Sequence, residues 1–260
     1  MVLVAAHRGA SEEFAEHTPA ALLRAIDLGA DAIEVDVRLT LDNQVVLVHD
    51  ASTNRTANVN ERVSRSTLEQ LRQLDFGSWH PATAADPDAT ISSEQRRSIM
   101  TLEDVLALLE AQPRDVGLLV ETKHPSGNGK SLEPYVARVF QRFGWNKKRP
   151  VGAPPVAVMS FSRAALKRMY ACDASIERTL LLRTPVVGNS TPDLPPYVDS
   201  IGPGVHLLRR NTAWIAAAVA AGRPAYVWTV DAETDLERAL KVGAAVVISN
   251  RPRWTLDRLG

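Results

Sequence analysis

Four apolar runs in this chain each end in residues that titrate or carry charge, and that recurrence limits the folds open to it. Run 2–6 leads into His7-Arg8-Gly9, run 30–37 carries Glu34 and Asp36, run 45–48 leads into His49-Asp50, and run 116–120 into Glu121 and Lys123. Strand-like runs alternate with helical patterns along much of the sequence, the mark of a parallel α/β fold. In a closed barrel of parallel strands, one rim collects the residues at the strands' C-terminal ends, and chemistry sits on that rim. The length of 260 residues is close to the roughly 250 typical of a (β/α)8 TIM barrel. The expectation is a single TIM-barrel domain over residues 1–260, an enzyme whose working groups share the C-terminal rim.

The elements can be placed along the chain. Thr18 as N-cap, Pro19 at the first helical position and Gly29 after the end delimit a helix over 19–28. Strands follow over 30–37 and 44–48, with no helix between them. Asp42-Asn43 is a turn signal. A two-residue hairpin centred there would pair position 36 with 49 and set Asp36 opposite His49. Residues 51–99 then break the alternation: they are polar, hold one clear helical piece at 66–74, and become rich in charge and serine over 86–97. Irregular segments this long are mostly functional or mobile. This one leaves directly after His49-Asp50, which predicts an insertion over the barrel mouth. Thr101-x-x-Asp104 opens a helix to 111 as a capping box. Strands are predicted at 116–120, 156–161, 178–182, 200–201, 225–230 and 245–248. Helices are predicted at 132–143, at 163–171 with Ser162 as cap, at 212–221 and at 233–242. With run 2–6 there are about nine candidate strands for eight barrel places, so one lies outside the barrel or is no strand.

Composition removes several classes of partner. Lys plus Arg is 30 and Asp plus Glu is 30, so there is no global field to gather nucleic acid or an acidic membrane. Any anion must be held by local charges. The lone cysteine, Cys172, excludes an intrachain disulfide or a cysteine metal cluster, and is expected as a small buried apolar residue. No run is long and apolar enough to span a bilayer. The start lacks the positive segment of a secretory signal, and run 2–6 is needed as a strand. A cytoplasmic location, a small-molecule substrate and no stable membrane insertion are therefore expected.

Glu34-Val35-Asp36 puts two carboxylates on one face of a strand, because side chains alternate. Like charges so placed repel unless a cation lies between them. A hard divalent ion such as Mg2+ or Ca2+ suits them; a solvated face or a pair of salt bridges is the plain alternative. The surrounding run, Ala32 to Val37, is too apolar for a solvated face, and Glu121 offers a third carboxylate. His7 and His49 end strands on the same rim, and imidazole titrates near neutral pH, which favours an acid–base pair. His17, His80, His124 and His206 fall in loops or at element ends and read as structural. Arg8 and Lys123 are partners of the carboxylates or, with a metal, part of a phosphate site. Gly9 makes a turn or lets backbone approach a ligand. Trp228, near the end of a strand, reads as rim packing before a substrate-binding wall, and both can hold.

Taken in order, His7-Arg8-Gly9, Glu34-Val35-Asp36, His49-Asp50 and Glu121-Thr122-Lys123 resemble the signature of the glycerophosphodiester phosphodiesterases. Asn54-Arg55-Thr56, Gly77-Ser78-Trp79, Trp228-Thr229-Val230 and Asn250-Arg251-Pro252 resemble further pieces of it, so the likeness runs from His7 to Pro252. The resemblance implies a TIM barrel with an insertion over its mouth. It implies hydrolysis of glycerophosphodiesters to glycerol 3-phosphate and an alcohol. It also implies a divalent metal on Glu34, Asp36 and Glu121, with His7 and His49 as the acid–base pair and a cyclic phosphate on the route. One departure is visible: Glu16-His17-Thr18 stands where the family commonly has Glu-Asn-Thr.

Two alternatives belong to other classes. A lysophospholipase D or phosphoinositide phospholipase C on the same scaffold would want an apolar lip, and 51–99 is mostly polar. The full carboxylate triad also argues against the metal-free phospholipases. A non-enzymatic phosphate binder would be free to lose a histidine or a carboxylate, and none is lost.

Overall fold

Eight of the expected strands lie side by side and parallel, and the ninth pairs antiparallel with one of them outside the ring. The computed structural model describes residues 2–57, 59–81, 97–127, 129–147, 149–150, 152–184 and 194–260. Its strands are β1 (Leu3–His7), β2 (Ala32–Leu39), β3 (Val45–Leu47), β4 (Gly117–Thr122), β5 (Val156–Ser160), β6 (Glu177–Leu182), β7 (Ser200–Pro203), β8 (Tyr226–Val227) and β9 (Val246–Ser249). The order is β7-β6-β5-β4-β2-β1-β9-β8, with β3 paired only to β2. Parallel bridges Ile201 to Ala225 and Gly204 to Trp228 bring β7 beside β8 and close the ring. The expected TIM barrel is borne out, and β3 is the surplus strand.

The helices dress the outside. Those described are α1 (Pro19–Asp27), α2 (Asn54–Ala57), α3 (Leu68–Arg72), α4 (Leu102–Glu110), α5 (Glu133–Phe143), α6 (Arg163–Cys172), α7 (Val205–Arg210), α8 (Thr212–Ala220), α9 (Glu233–Lys241) and α10 (Pro252–Leu259). Thr18 caps α1 by accepting from Ala21 N, Thr101 and Asp104 form the capping box of α4, and Ser162 caps α6. Each cap satisfies an amide that the first helical turn leaves unpaired. Gly9, at φ +84°, lies against α1: a Cβ there would come within 2.7 Å of the Ala21 backbone. The glycine therefore serves a turn and a close helix approach.

Three expectations are corrected. Position 36 opposes 48, not 49: β2 and β3 pair Val37 with Leu47 and Leu39 with Val45, and Val48 N donates to Asp36 O. The loop has three residues, 41–43, with Asn43 left-handed at φ 65°, the geometry of a three-residue hairpin. Cys172 is exposed at the end of α6 rather than buried. Helices α7 and α10 had no counterpart among the predicted elements, although Pro252 at the start of α10 is a helix-start signal.

The core has distinct parts. Side chains of mixed size fill the barrel interior, among them Ala5, Ala32, Leu119, Met159, Tyr226 and Ile248. The described part of the insertion forms a satellite cluster, with Val46 and Val48 packing on Ala57, Val63, Leu71, Phe76 and Ile99. That cluster sits on the β2–β3 hairpin, and Leu68 N donates to Asp42 Oδ1 at 3.1 Å. The segment holds α2, a 3-10 turn (Val63–Arg65) and α3, more structure than the one helix expected. Most of the charged stretch 86–97 lies outside the described residues. No helix among the described residues is long and apolar enough to cross a membrane.

Candidate active site

Strand register assembles the site. His7 pairs with Glu34 across β1 and β2, and Asp36 pairs with Glu121 across β2 and β4. Alternation along β2 turns Glu34 and Asp36 to one face. Both are buried, as is Glu121, and one oxygen from each lies within 4.8 Å of the others. An all-oxygen, all-anionic donor set of this kind fits a hard divalent ion such as Mg2+ or Ca2+. Arg8 and Lys123 reach the same cluster. Arg8 Nε lies 2.9 Å from Asp36 Oδ2, and Lys123 Nζ lies 2.8 Å from Asp36 Oδ1 and 2.6 Å from Glu121 Oε1.

Three carboxylates thus face two cations in a buried place. Burial works against ionisation of Asp36, but Lys123 and Arg8 outweigh it and hold that carboxyl far below the ordinary range. Burial, with Asp36 and Glu121 beside it, pushes Glu34 well up. Burial and Asp36 raise Glu121 to about 7, even against its contact with Lys123. One cluster therefore holds an anion that is always charged and two acids that are not.

His7 is fixed by a relay from the last barrel loop. Asn250 donates from Nδ2 to Asp231 Oδ2 at 2.6 Å, which leaves its Oδ1 as an acceptor. His7 Nδ1 lies 2.6 Å from that oxygen and so carries the proton. The lone pair is then on Nε2, which faces Glu34 at 3.8 Å. Burial, with Arg8 beside it, brings the imidazole down to about 4, so it is neutral at physiological pH. His49 is half-buried and built differently: its Nδ1 lies 2.7 Å from Asp50 Oδ1, and Asp50 is held by Arg55 Nε at 2.6 Å.

Residues outside the carboxylate cluster and the histidine pair complete the surroundings. Glu16 accepts from Arg8 at 3.0 Å and from Arg55 at 2.7 Å. His17, read as structural, is buried with Nε2 3.1 Å from Asp36 Oδ2, while its Nδ1 has no hydrogen-bond partner. It stands at φ 63°, a backbone region where Asn and His are tolerated better than most side chains. The departure from Glu-Asn-Thr was the signal that marked it. His124 is tied at 2.7 Å to Glu133 at the cavity wall. Trp228 donates to Gly202 O and stacks edge-on against Phe161, so it packs behind the pocket wall.

A cavity of about 560 Å³ opens beside the cluster, lined by His49, Glu121, Lys123, Arg38, Phe161 and Arg183 among others. The family model of the glycerophosphoryl diester phosphodiesterases matches residues 7–253. The chain belongs to this family. It is 35% identical over 252 residues to a probable glycerophosphodiester phosphodiesterase 1 of Mycobacterium tuberculosis, covering 97% of this chain and 90% of that one. A glycerophosphodiester phosphodiesterase of Bacillus subtilis is 27% identical over 255 residues, with 96% and 84% covered. Among solved structures, an Oleispira antarctica phosphodiesterase in complex with its product sn-glycerol-3-phosphate superposes with a TM-score of 0.79 at 23% identity, covering 99% of this chain and 96% of that one. The expectation of an enzyme of the phosphodiesterase class is borne out by the family.

Proposed function

We propose that the protein hydrolyses glycerophosphodiesters to sn-glycerol 3-phosphate and an alcohol, with one divalent ion on Glu34, Asp36 and Glu121. The observation that carries this is the buried trio of carboxylate oxygens within 4.8 Å of one another, on the rim that also holds His7 and His49. When bound there, the ion supplies Lewis-acid stabilisation of the charge that develops on the phosphoryl oxygens. Arg8 and Lys123 add charge-assisted donors on the same side.

The two histidines divide the proton work. His7 is neutral, with its lone pair on Nε2, and takes the proton of the glycerol 2-hydroxyl as that oxygen bonds to phosphorus. Burial holds the His49 imidazole below its ordinary value while Asp36 and the Asp50 hydrogen bond work against it; in its protonated form this ring gives a proton to the alcohol oxygen as its bond to phosphorus breaks. The product of this half is a five-membered cyclic phosphate. His49, now neutral, takes a proton from water as the water oxygen bonds to phosphorus. The ring opens at the 2-oxygen, which recovers the proton from His7. Both histidines end as they began.

The insertion supports a role in substrate choice. It starts at the rim, where Arg55 bridges Glu16 and Asp50, and Ala51 lines the cavity. Shortening residues 86–97 is expected to change KM or substrate preference more than the need for metal. The test of the whole proposal is a panel of glycerophosphodiesters assayed for glycerol 3-phosphate release, with and without a chelator. Release that chelation stops supports it; release unaffected by chelation removes the metal, and no release from any diester removes the activity.

A further inference from the structure

The cavity wall says which alcohol the diester carries. Part of that wall is basic. Arg38, near the end of β2, donates to His49 O at 2.9 Å and to Pro125 O at 3.4 Å. Arg183, just past β6, lies over the Phe161 ring with its guanidinium carbon 4.4 Å from the centroid. Among the described residues neither has a carboxylate within ion-pair distance, and both line the cavity. Among the described residues the wall's carboxylates are Asp50, already bonded to His49 and Arg55, and Glu121, already bonded to Lys123.

A cationic head group needs an open carboxylate or an open aromatic face. Here both carboxylates are engaged, and the Phe161 face is covered by the chain's own guanidinium. Phe161 and Trp228 meet edge to face at 5.4 Å, so they form one aromatic corner, and Arg183 sits 6.0 Å from the Trp228 ring as well. An anionic group meets the reverse situation: two guanidinium groups with donors to spare, suited to carboxylate or phosphate oxygens.

We infer that this enzyme is selective for glycerophosphodiesters whose alcohol bears its own anionic group, a phosphate or a carboxylate, held by Arg183 and Arg38. The inference rests on the proposed diesterase activity. The phosphodiester itself is held at the carboxylate cluster with Arg8 and Lys123, and the second anion by the two guanidinium groups on the wall of the adjoining cavity.

The experiment compares kcat/KM for glycerophosphocholine, glycerophosphoglycerol, glycerophosphoglycerate and glycerophosphoinositol 4-phosphate, using the metal-loaded full chain. The expected order is anionic above neutral above cationic, spanning at least about tenfold, the scale of a charged hydrogen bond. The span should shrink in 0.5 M salt. Arg183→Gln should raise KM for the anionic diesters and narrow the gap to the choline ester, with kcat changed less. The glycerate and inositol phosphate arms separate a carboxylate from a phosphate as the preferred anion. A choline ester cleaved as well as the anionic ones, or an anionic preference unmoved in Arg183→Gln, overturns the inference while leaving the diesterase activity standing. No cleavage of any of the four removes the activity and the inference together.

Discussion

The two ends of the barrel bury charge in opposite ways. At the N-terminal end, Arg178 reaches Asp199 at 2.5 Å, Tyr197 O at 2.7 Å and Ile176 O. Arg114 crosses to Ile26 O at 2.7 Å and Ala30 O at 2.9 Å, where it ties down the end of α1. Glu177 accepts from the Tyr226 hydroxyl at 2.8 Å. These charges are matched to what surrounds them, and they hold strands and helices together. At the C-terminal rim, three carboxylates share Arg8 and Lys123, and two of them are pushed toward the protonated form. Matched charge marks the end that stabilises the fold. Unmatched charge, kept buried at a cost in stability, marks the end that works on a ligand.

If that division is right, substitutions at the two ends should fail differently. His7→Ala and His49→Ala should each lower kcat by at least about 100-fold, the scale of a lost general acid or base, with thermal unfolding little changed. Near-normal turnover in either would make that histidine structural. Arg178→Met should do the reverse: a loss of about 3 kcal/mol in stability, the low end for a broken buried pair because Asp199 is partly exposed, with kcat within about twofold of the parent. A collapse of kcat without loss of stability there would break the comparison from the other side.

The pH response sharpens it. Glu121, raised to about 7 in the folded chain, holds a proton that the unfolded chain releases near 4.5. It therefore favours the metal-free fold most below about 4.5, and that contribution is lost as pH rises to about 7. Metal binding must displace the same proton, so affinity should tighten across this window, with proton release visible in buffers of different ionisation enthalpy. A pH-independent affinity would contradict the raised carboxylates. With metal kept saturating at every pH, His7, brought down to about 4, should place the acidic limb of kcat/KM well below the usual imidazole value of about 6.5; a limb at or above that value under saturating metal would show His7 is not the base.

The smallest expected effect is at His17. Its ring supports Asp36 from outside the carboxylate trio. Replacement by Ala should weaken metal binding by roughly tenfold, with a milder loss of turnover than either rim histidine. Unchanged metal affinity would return His17 to a purely structural role.

Much of this was legible in the sequence because strand ends carry their own punctuation. The runs before His7, before Glu121 and around Glu34-Val35-Asp36 fixed both strand and rim position, since a barrel leaves little choice about where a strand's last residues go. The caps at Thr18, Thr101 and Ser162 were readable for the same local reason. What escaped notice depends on distance in the chain. The Asp231–Asn250–His7 relay joins residues about 240 positions apart, and no local pattern announces it. The hairpin register slipped by one because Asn43 takes a left-handed conformation and lengthens the loop. Arg38 and Arg183 look like ordinary surface cations until the barrel turns them toward one cavity.

The central claim is that the unmatched carboxylates are a metal site on which turnover depends. The direct measurement is calorimetric titration of the metal-stripped protein with Mg2+ or Ca2+, paired with glycerol 3-phosphate release at each point. One ion per chain should bind, activity should rise from near zero in step with occupancy, and Glu34→Gln, Asp36→Asn and Glu121→Gln should each lose both. Full turnover in the stripped protein, or saturable binding that survives all three substitutions, would contradict it.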